Sequence, residues 1–156
     1  MRAAGQAFTG LMNEERRPRP ARGFNQSVIE DFRANKGQIS QGPFKGGSLL
    51  LLTSHGRKTG TERTNPLAYT RDGDRYVVVA SKGGAPTNPD WFGNLRADPR
   101  VTVEVGPERF AARATVAKGA ERRRLYDAHA ARMPAFNEYE KRTSREIPVV
   151  ILERAG

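Results

Sequence analysis

The chain has 156 residues, 27 Lys and Arg against 17 Asp and Glu, a formal charge of +10 and no cysteine. That length suits one domain with a real core, and the lack of Cys removes disulfides, thiolate catalysis and Cys-ligated metals together. The charge favours a polyanionic partner, and no apolar run approaches the ~18 to 20 residues of a spanning helix, so a cytoplasmic protein that at most touches the inner face of the membrane is expected.

Residues 1–25 make poor core material. Arg16-Arg-Pro-Arg-Pro-Ala-Arg22 reads as a basic, proline-interrupted arm, extended or mobile and unable to form a regular helix, and the folded domain is expected over residues 26–156. Val28, Ile29 and Phe32 predict a short amphipathic helix from Ser27, as N-cap, to Lys36, with Gly37 ending it. Residues 41–47 are loop. Short strands follow at 48–54, 63–70 and 75–80, the last two joined as a hairpin through Arg71-Asp-Gly-Asp74. Asn88 and Pro89 mark the cap and first position of a helix to Ala97. Residues 101–105 alternate and pair with 109–116 across Gly106-Pro-Glu108. Residues 119–132 are helical, 134–142 add a turn or two, and 147–153 form a last strand. About six strands with peripheral helices predict an α+β fold built on a mostly antiparallel barrel, not a parallel doubly wound sheet.

Two of the turns carry chemistry. One strand runs into His55-Gly-Arg-Lys-Thr-Gly60 and another into Ser81-Lys-Gly-Gly84. Both set backbone N–H groups beside Lys or Arg, the arrangement that cradles a phosphate or a chain of carboxylates, and two such turns predict one elongated anionic ligand. A Walker loop is excluded because Arg57 separates Gly56 from Lys58, and neither Gly46-Gly47 nor Gly83-Gly84 completes a dinucleotide fingerprint. His55 and His129 fall in no metal-ligand or triad spacing, so no metal site is expected. His55 stands in the binding loop as a candidate ligand contact, whereas His129, in an Arg-rich helix, reads as a surface residue. Asn65, Trp91 and Asn94 add directional hydrogen bonds and an apolar wall.

In order along the chain, Thr53-Ser-His-Gly-Arg-Lys-Thr-Gly60, Arg63-Thr-Asn-Pro-Leu67, Ala80-Ser-Lys-Gly-Gly-Ala85, Asn88-Pro-Asp-Trp91, Asn94-Leu95 and Ala97-Asp-Pro99 resemble the deazaflavin-dependent nitroreductase family of actinobacteria. The likeness covers roughly the last 110 residues and reaches Thr143-Ser-Arg-Glu-Ile-Pro-Val-Val150. It implies a split β-barrel and the 8-hydroxy-5-deazaflavin coenzyme F420, a hydride carrier with a phosphodiester and an oligoglutamate tail. By the same resemblance Thr53 and His55 belong to the cofactor-binding set, and Arg57, Lys58, Thr59, Gly60 and Arg63 bind the phosphate and tail. Asn65, Ala80, Ser81 and Lys82 line the deazaflavin, and Trp91 and Asn94 close the cleft.

The reaction implied is hydride transfer from the reduced cofactor to an electron-poor acceptor, a quinone or a nitro compound, with the cofactor carrying the hard chemistry. Met133, Phe136 and Tyr139 match the segment that shapes the acceptor pocket; by spacing alone they equally suit packing of a helix onto the barrel. Ala68 stands where some relatives carry a larger aromatic residue. FMN in the same barrel is the alternative cofactor, with the cations Arg57 and Lys58 favouring the glutamylated one. A nucleic-acid-binding domain is a third reading, opposed by an aromatic content of 8% with no stacking platform. Arg16, Arg17, Arg19 and Arg22, beside the apolar face of Val28, Ile29 and Phe32, also suit an anionic bilayer surface. Oligomeric state has no signal in the sequence.

Overall fold

Four consecutive leucines, Leu49 to Leu52, form an unbroken apolar run because the first strand, β1 (Leu49–His55), is covered on both faces. The computed structural model describes residues 18–40 and 45–155. Leu50 and Leu52 face the inside of a curled sheet with Tyr76, Val78, Val103 and Leu152. Leu49 and Leu51 face outward onto Val28, Ile29 and Phe32 of helix α1 (Pro18–Ala34). Leu50, Leu51 and Leu52 are fully buried, so truncating any of them to Ala would cost about 2–5 kcal/mol.

The chain continues through β2 (Glu62–Ala68), β3 (Thr70–Asp72), β4 (Arg75–Val79), α2 (Asp90–Ala97), β5 (Arg100–Val105), β6 (Glu108–Val116), α3 (Gly119–Arg132), α4 (Ala135–Arg142) and β7 (Val149–Arg154). The seven strands make one antiparallel sheet in the order β2-β1-β5-β6-β7-β4-β3. Tyr69 alone separates β2 from β3, yet these strands lie at opposite edges of the sheet. Only a sheet curled until its edges approach each other satisfies both facts. The result is the expected α+β, split-barrel-like architecture. Its strand count is seven because the run expected over 63–70 divides at Tyr69, where the chain stops pairing with β1 and starts pairing with β4.

Inside the curl, Trp91, Phe92 and Leu95 of α2 join the inner face of the sheet. Outside it, Leu125, Tyr126 and Ala130 of α3 cover Val77, Val79, Val149 and Ile151, the outward set of β4 and β7. Both sets alternate along their strands, as the period of two requires.

Helix α1 departs from expectation. It begins at Pro18, not Ser27, and takes up part of the segment expected to be an extended arm. Pro18 and Pro20 are compatible with this because they stand in the first turn, where a backbone N–H has no intrahelical acceptor to lose. The remainder of the arm, residues 1–17, lies outside the described residues. The apolar face of Val28, Ile29 and Phe32 is buried against the barrel. Arg33 forks onto the buried carboxylate of Glu104 in β5 at 2.9 and 2.7 Å, pinning the helix to the sheet. At the start of α2 the cap position holds Pro89, and Asn88 instead accepts a hydrogen bond from Arg145 Nη1 at 2.7 Å.

Gly37 ends the α1 turn as expected, its N–H donating to Phe32 O at 2.8 Å. Its φ is +92°, and a Cβ there would lie 2.4 Å from the Gly106 Cα in the β5–β6 turn. Gly37→Ala is therefore expected to destabilise the fold by about 2 kcal/mol or more, read as a lower denaturant midpoint. An unchanged midpoint would show that helix end and turn separate without cost.

Candidate functional site

The stretch from Glu62 to Arg71, which holds β2, the Tyr69 joint and β3, forms one wall of a groove of about 1340 Å³. Period-two geometry sets Asn65 opposite Leu52 and Leu67 opposite Leu50, so both share the inner face of the sheet. Facing this wall are the turn after β4, the start of α2, and the segment joining α3 to α4.

The turn after β4 has a specific backbone. Ser81 is right-handed (φ −77°, ψ −38°), and Lys82 and Gly83 are left-handed (φ 49° and 65°). A right-handed residue followed by a left-handed one turns successive N–H groups toward one point, a concavity suited to an anion. A Cβ on Gly84 would come within 2.9 Å of Tyr139 O and of Arg142 Cβ, so this glycine lets the turn dock directly on α4. Arg145 clamps the same turn, donating to Ser81 O at 2.7 Å, Ala85 O at 2.9 Å and Asn88 Oδ1 at 2.7 Å. Burial pushes its guanidinium below the usual Arg range.

Among the residues expected to bind a cofactor, Arg63, Asn65, Ser81, Lys82, Trp91 and Asn94 line the groove, as do Met133, Phe136 and Tyr139. The structure places the others elsewhere. Thr53 Oγ1 lies 2.8 Å from Thr64 Oγ1, so that pair joins β1 to β2. Ala80 is buried, its N–H donating to Pro148 O at 2.9 Å. Arg57 turns back onto α2: its N–H and Nη1 donate to Asn94 Oδ1 at 3.1 and 2.8 Å, and Nη1 also to Asp90 O. Lys58, Thr59 and Gly60 are exposed at the tip of the β1–β2 loop. His55 lies between Glu62 and Asp98, at 3.8 and 3.9 Å.

Several groove residues were not anticipated. Lys45, Arg71 and Arg132 join Arg63 and Lys82 to give five cations along the groove, against the carboxylates Glu62 and Asp90. Lys45 stands within the segment read as loop, and Arg132 belongs to a helix with no apparent site. Arg145 had a signal in the Thr143-Ser-Arg motif, without a chemical role attached to it.

His129 is the clearest reversal. Expected at the surface, it is fully buried beside the groove, with Nδ1 3.0 Å from Thr70 Oγ1 and its ring edge-on to Phe136 at 4.5 Å. The next turn of the same wall is tied down by Tyr126, whose hydroxyl donates to Phe136 O at 2.7 Å and whose pKa is pushed up to about 12, chiefly by burial.

Known proteins are similar to this chain in sequence and in fold. A family model described as F420H(2)-dependent quinone reductase matches residues 25–154. The chain is 40% identical over 126 residues to an F420H(2)-dependent quinone reductase of Mycobacterium tuberculosis (strain ATCC 25618 / H37Rv), covering 79% of this chain and 85% of that one. Among solved structures it is similar to an F420-H2 dependent reductase (FDR-A), with a TM-score of 0.64 and 36% identity over 68% of this chain and 94% of the other. A second, solved as a domain-swapped dimer, has a TM-score of 0.66 and 32% identity over 82% of this chain and 93% of its own.

Burial lowers the His129 pKa from an ordinary 6.5 to about 4. The unfolded chain therefore takes up this proton first on acidification. The associated stability is whole above about pH 6.5 and lost as pH falls toward 4, a change of about 3 kcal/mol. Chemical denaturation across that window should show wild type losing more stability than His129→Leu; parallel losses would place the imidazole in contact with water.

Proposed function

The chain belongs to the F420H(2)-dependent quinone reductase family, and from that premise we propose that its groove holds the deazaflavin beside Asn65, Ser81 and Trp91 and a quinone against Met133, Phe136 and Tyr139. The protein is an F420-dependent oxidoreductase acting on quinones. The observation that carries the site assignment is the convergence, in one groove, of five cations with amide, hydroxyl and aromatic groups.

The residues present fit the cofactor. The Ser81–Lys82 concavity offers N–H groups to a phosphodiester, and Lys45, Arg63 and Lys82 offer charge to carboxylates. A row of cations exceeds what the single phosphate of FMN requires, which favours the glutamylated coenzyme. When bound, the reduced deazaflavin supplies the hydride. The chain holds the ring edge with Asn65 and Ser81, closes one side with Trp91 and keeps water from the acceptor with Phe136 and Tyr139. A nitro compound, electron-poor like a quinone, would be accepted at the same place. Anion binding in this reading passes from Arg57, which is engaged with α2, to Arg63 and its groove neighbours.

Fluorescence titration with F420 tests the assignment. Arg63→Ala is expected to weaken cofactor binding about tenfold, and Lys58→Ala by less than about twofold. Turnover at saturating cofactor should change little, because the charge held is the same in ground and transition states. Added salt should weaken binding and a longer glutamate tail should strengthen it. Wild-type affinity in Arg63→Ala, or equal affinity for FMN, would overturn the reading.

Among the described residues no helix is long and apolar enough to cross a membrane. Since Val28, Ile29 and Phe32 are buried against the barrel, we assign any contact with an anionic bilayer to charge alone, through the Arg16–Arg22 segment. Deleting residues 1–17 together with Arg19→Gln and Arg22→Gln, which leaves the apolar face of α1 whole, should reduce cosedimentation with anionic liposomes while F420 binding stays intact. Undiminished cosedimentation would remove the bilayer from the proposal.

A further inference from the structure

Thr70 opens β3 and lines the groove, and His129 stands directly behind it. The imidazole is fully buried, and its Nε2 has no hydrogen-bond partner among the described residues. Thr70 Oγ1 is bonded, among those residues, to His129 Nδ1 alone. One hydrogen bond therefore joins two groups that can each donate or accept, and its direction decides what Thr70 presents to the groove.

Suppose the hydroxyl donates. The ring proton of a neutral imidazole then sits on Nε2 as a buried N–H without an acceptor, the rarer kind of orphan in folded proteins. Suppose instead that Nδ1–H donates. Nε2 then keeps only an unused lone pair, the milder defect, and the hydroxyl hydrogen is released from the pair. No other described group accepts it, so it is available to a molecule in the groove.

We propose that Thr70 is a specificity residue of the acceptor end, its hydroxyl held by His129 as a positioning residue so that it donates to a carbonyl oxygen of the acceptor. The idea rests on reading the groove as the site of cofactor and quinone, because the flanking Phe136 and Met133 belong to the acceptor wall. It concerns a hydrogen bond and not a proton relay. His129 remains neutral at neutral pH, and its second nitrogen has no partner among the described residues through which a donated proton could be replaced.

Thr70→Val keeps the shape of the side chain and removes the hydroxyl. With the F420-loaded protein, the ratio of kcat/KM for a soluble quinone to that for a phenazinium dye, which offers no accepting oxygen, should fall roughly five- to tenfold. The fall should appear in the quinone KM, Thr70→Ser should restore the ratio, and His129→Leu should lower it. Nitrogen NMR of the wild-type imidazole, which needs no variant, should show the proton on Nδ1 and a bare Nε2. A proton on Nε2, or an unchanged ratio in a Thr70→Val protein that binds F420 normally, overturns the inference and leaves the site assignment standing. Failure of the wild-type protein to bind F420 overturns the site assignment and this inference with it.

Discussion

Tyr69 is the joint on which the architecture depends. Within one residue the chain passes from a strand paired with β1 at one edge of the sheet to a strand paired with β4 at the other. No flat sheet of seven strands permits that, so the curl follows from connectivity. The Tyr69 ring packs edge-on to Tyr76 at 5.6 Å, and Tyr76 continues to Phe110 at 5.8 Å, which seats the joint on the inner face. Unpaired strand edges are a liability in an open sheet. Here the two edges are brought together, and the same stretch, Glu62 to Arg71, forms a wall of the groove.

The opposing wall is held by contacts outside the groove. Arg145 fixes the Ser81 turn from behind, Gly84 lets that turn rest on α4, and Tyr126 holds the Phe136 carbonyl. Each tie is a hydrogen bond or a backbone contact made by groups that need not touch a ligand. A wall fixed before a ligand arrives loses less conformational freedom on binding, which is how such ties raise affinity without touching the ligand.

Charge of one sign serves two ends in this molecule. Arg57 stands in a basic loop but is directed to a buried amide and a helix carbonyl, where it joins the β1–β2 loop to α2. Arg63, a few residues on, lines the groove. Asn94 shows the same doubling, since one buried amide accepts from Arg57 and also lines the groove.

Much of this was legible in the chain. The unbroken leucines of β1 and the alternation in β5 and β6 follow from side-chain period, because burial of one face or two imposes it. The glycine-and-cation turn after β4 was legible because left-handed backbone favours glycine, and the groove cations Arg63 and Lys82 were legible by type. What the sequence could not carry was pairing and direction. Period reads residues 63–70 as one strand and is silent on the change of partner at Tyr69. Basicity does not say whether Arg57 meets solvent or a buried helix amide 37 residues away, and the Arg-rich α3 conceals the inward face that buries His129 against Thr70, 59 residues earlier. Local pattern records what each residue prefers to touch. Which distant residue it touches was decided only when the sheet closed.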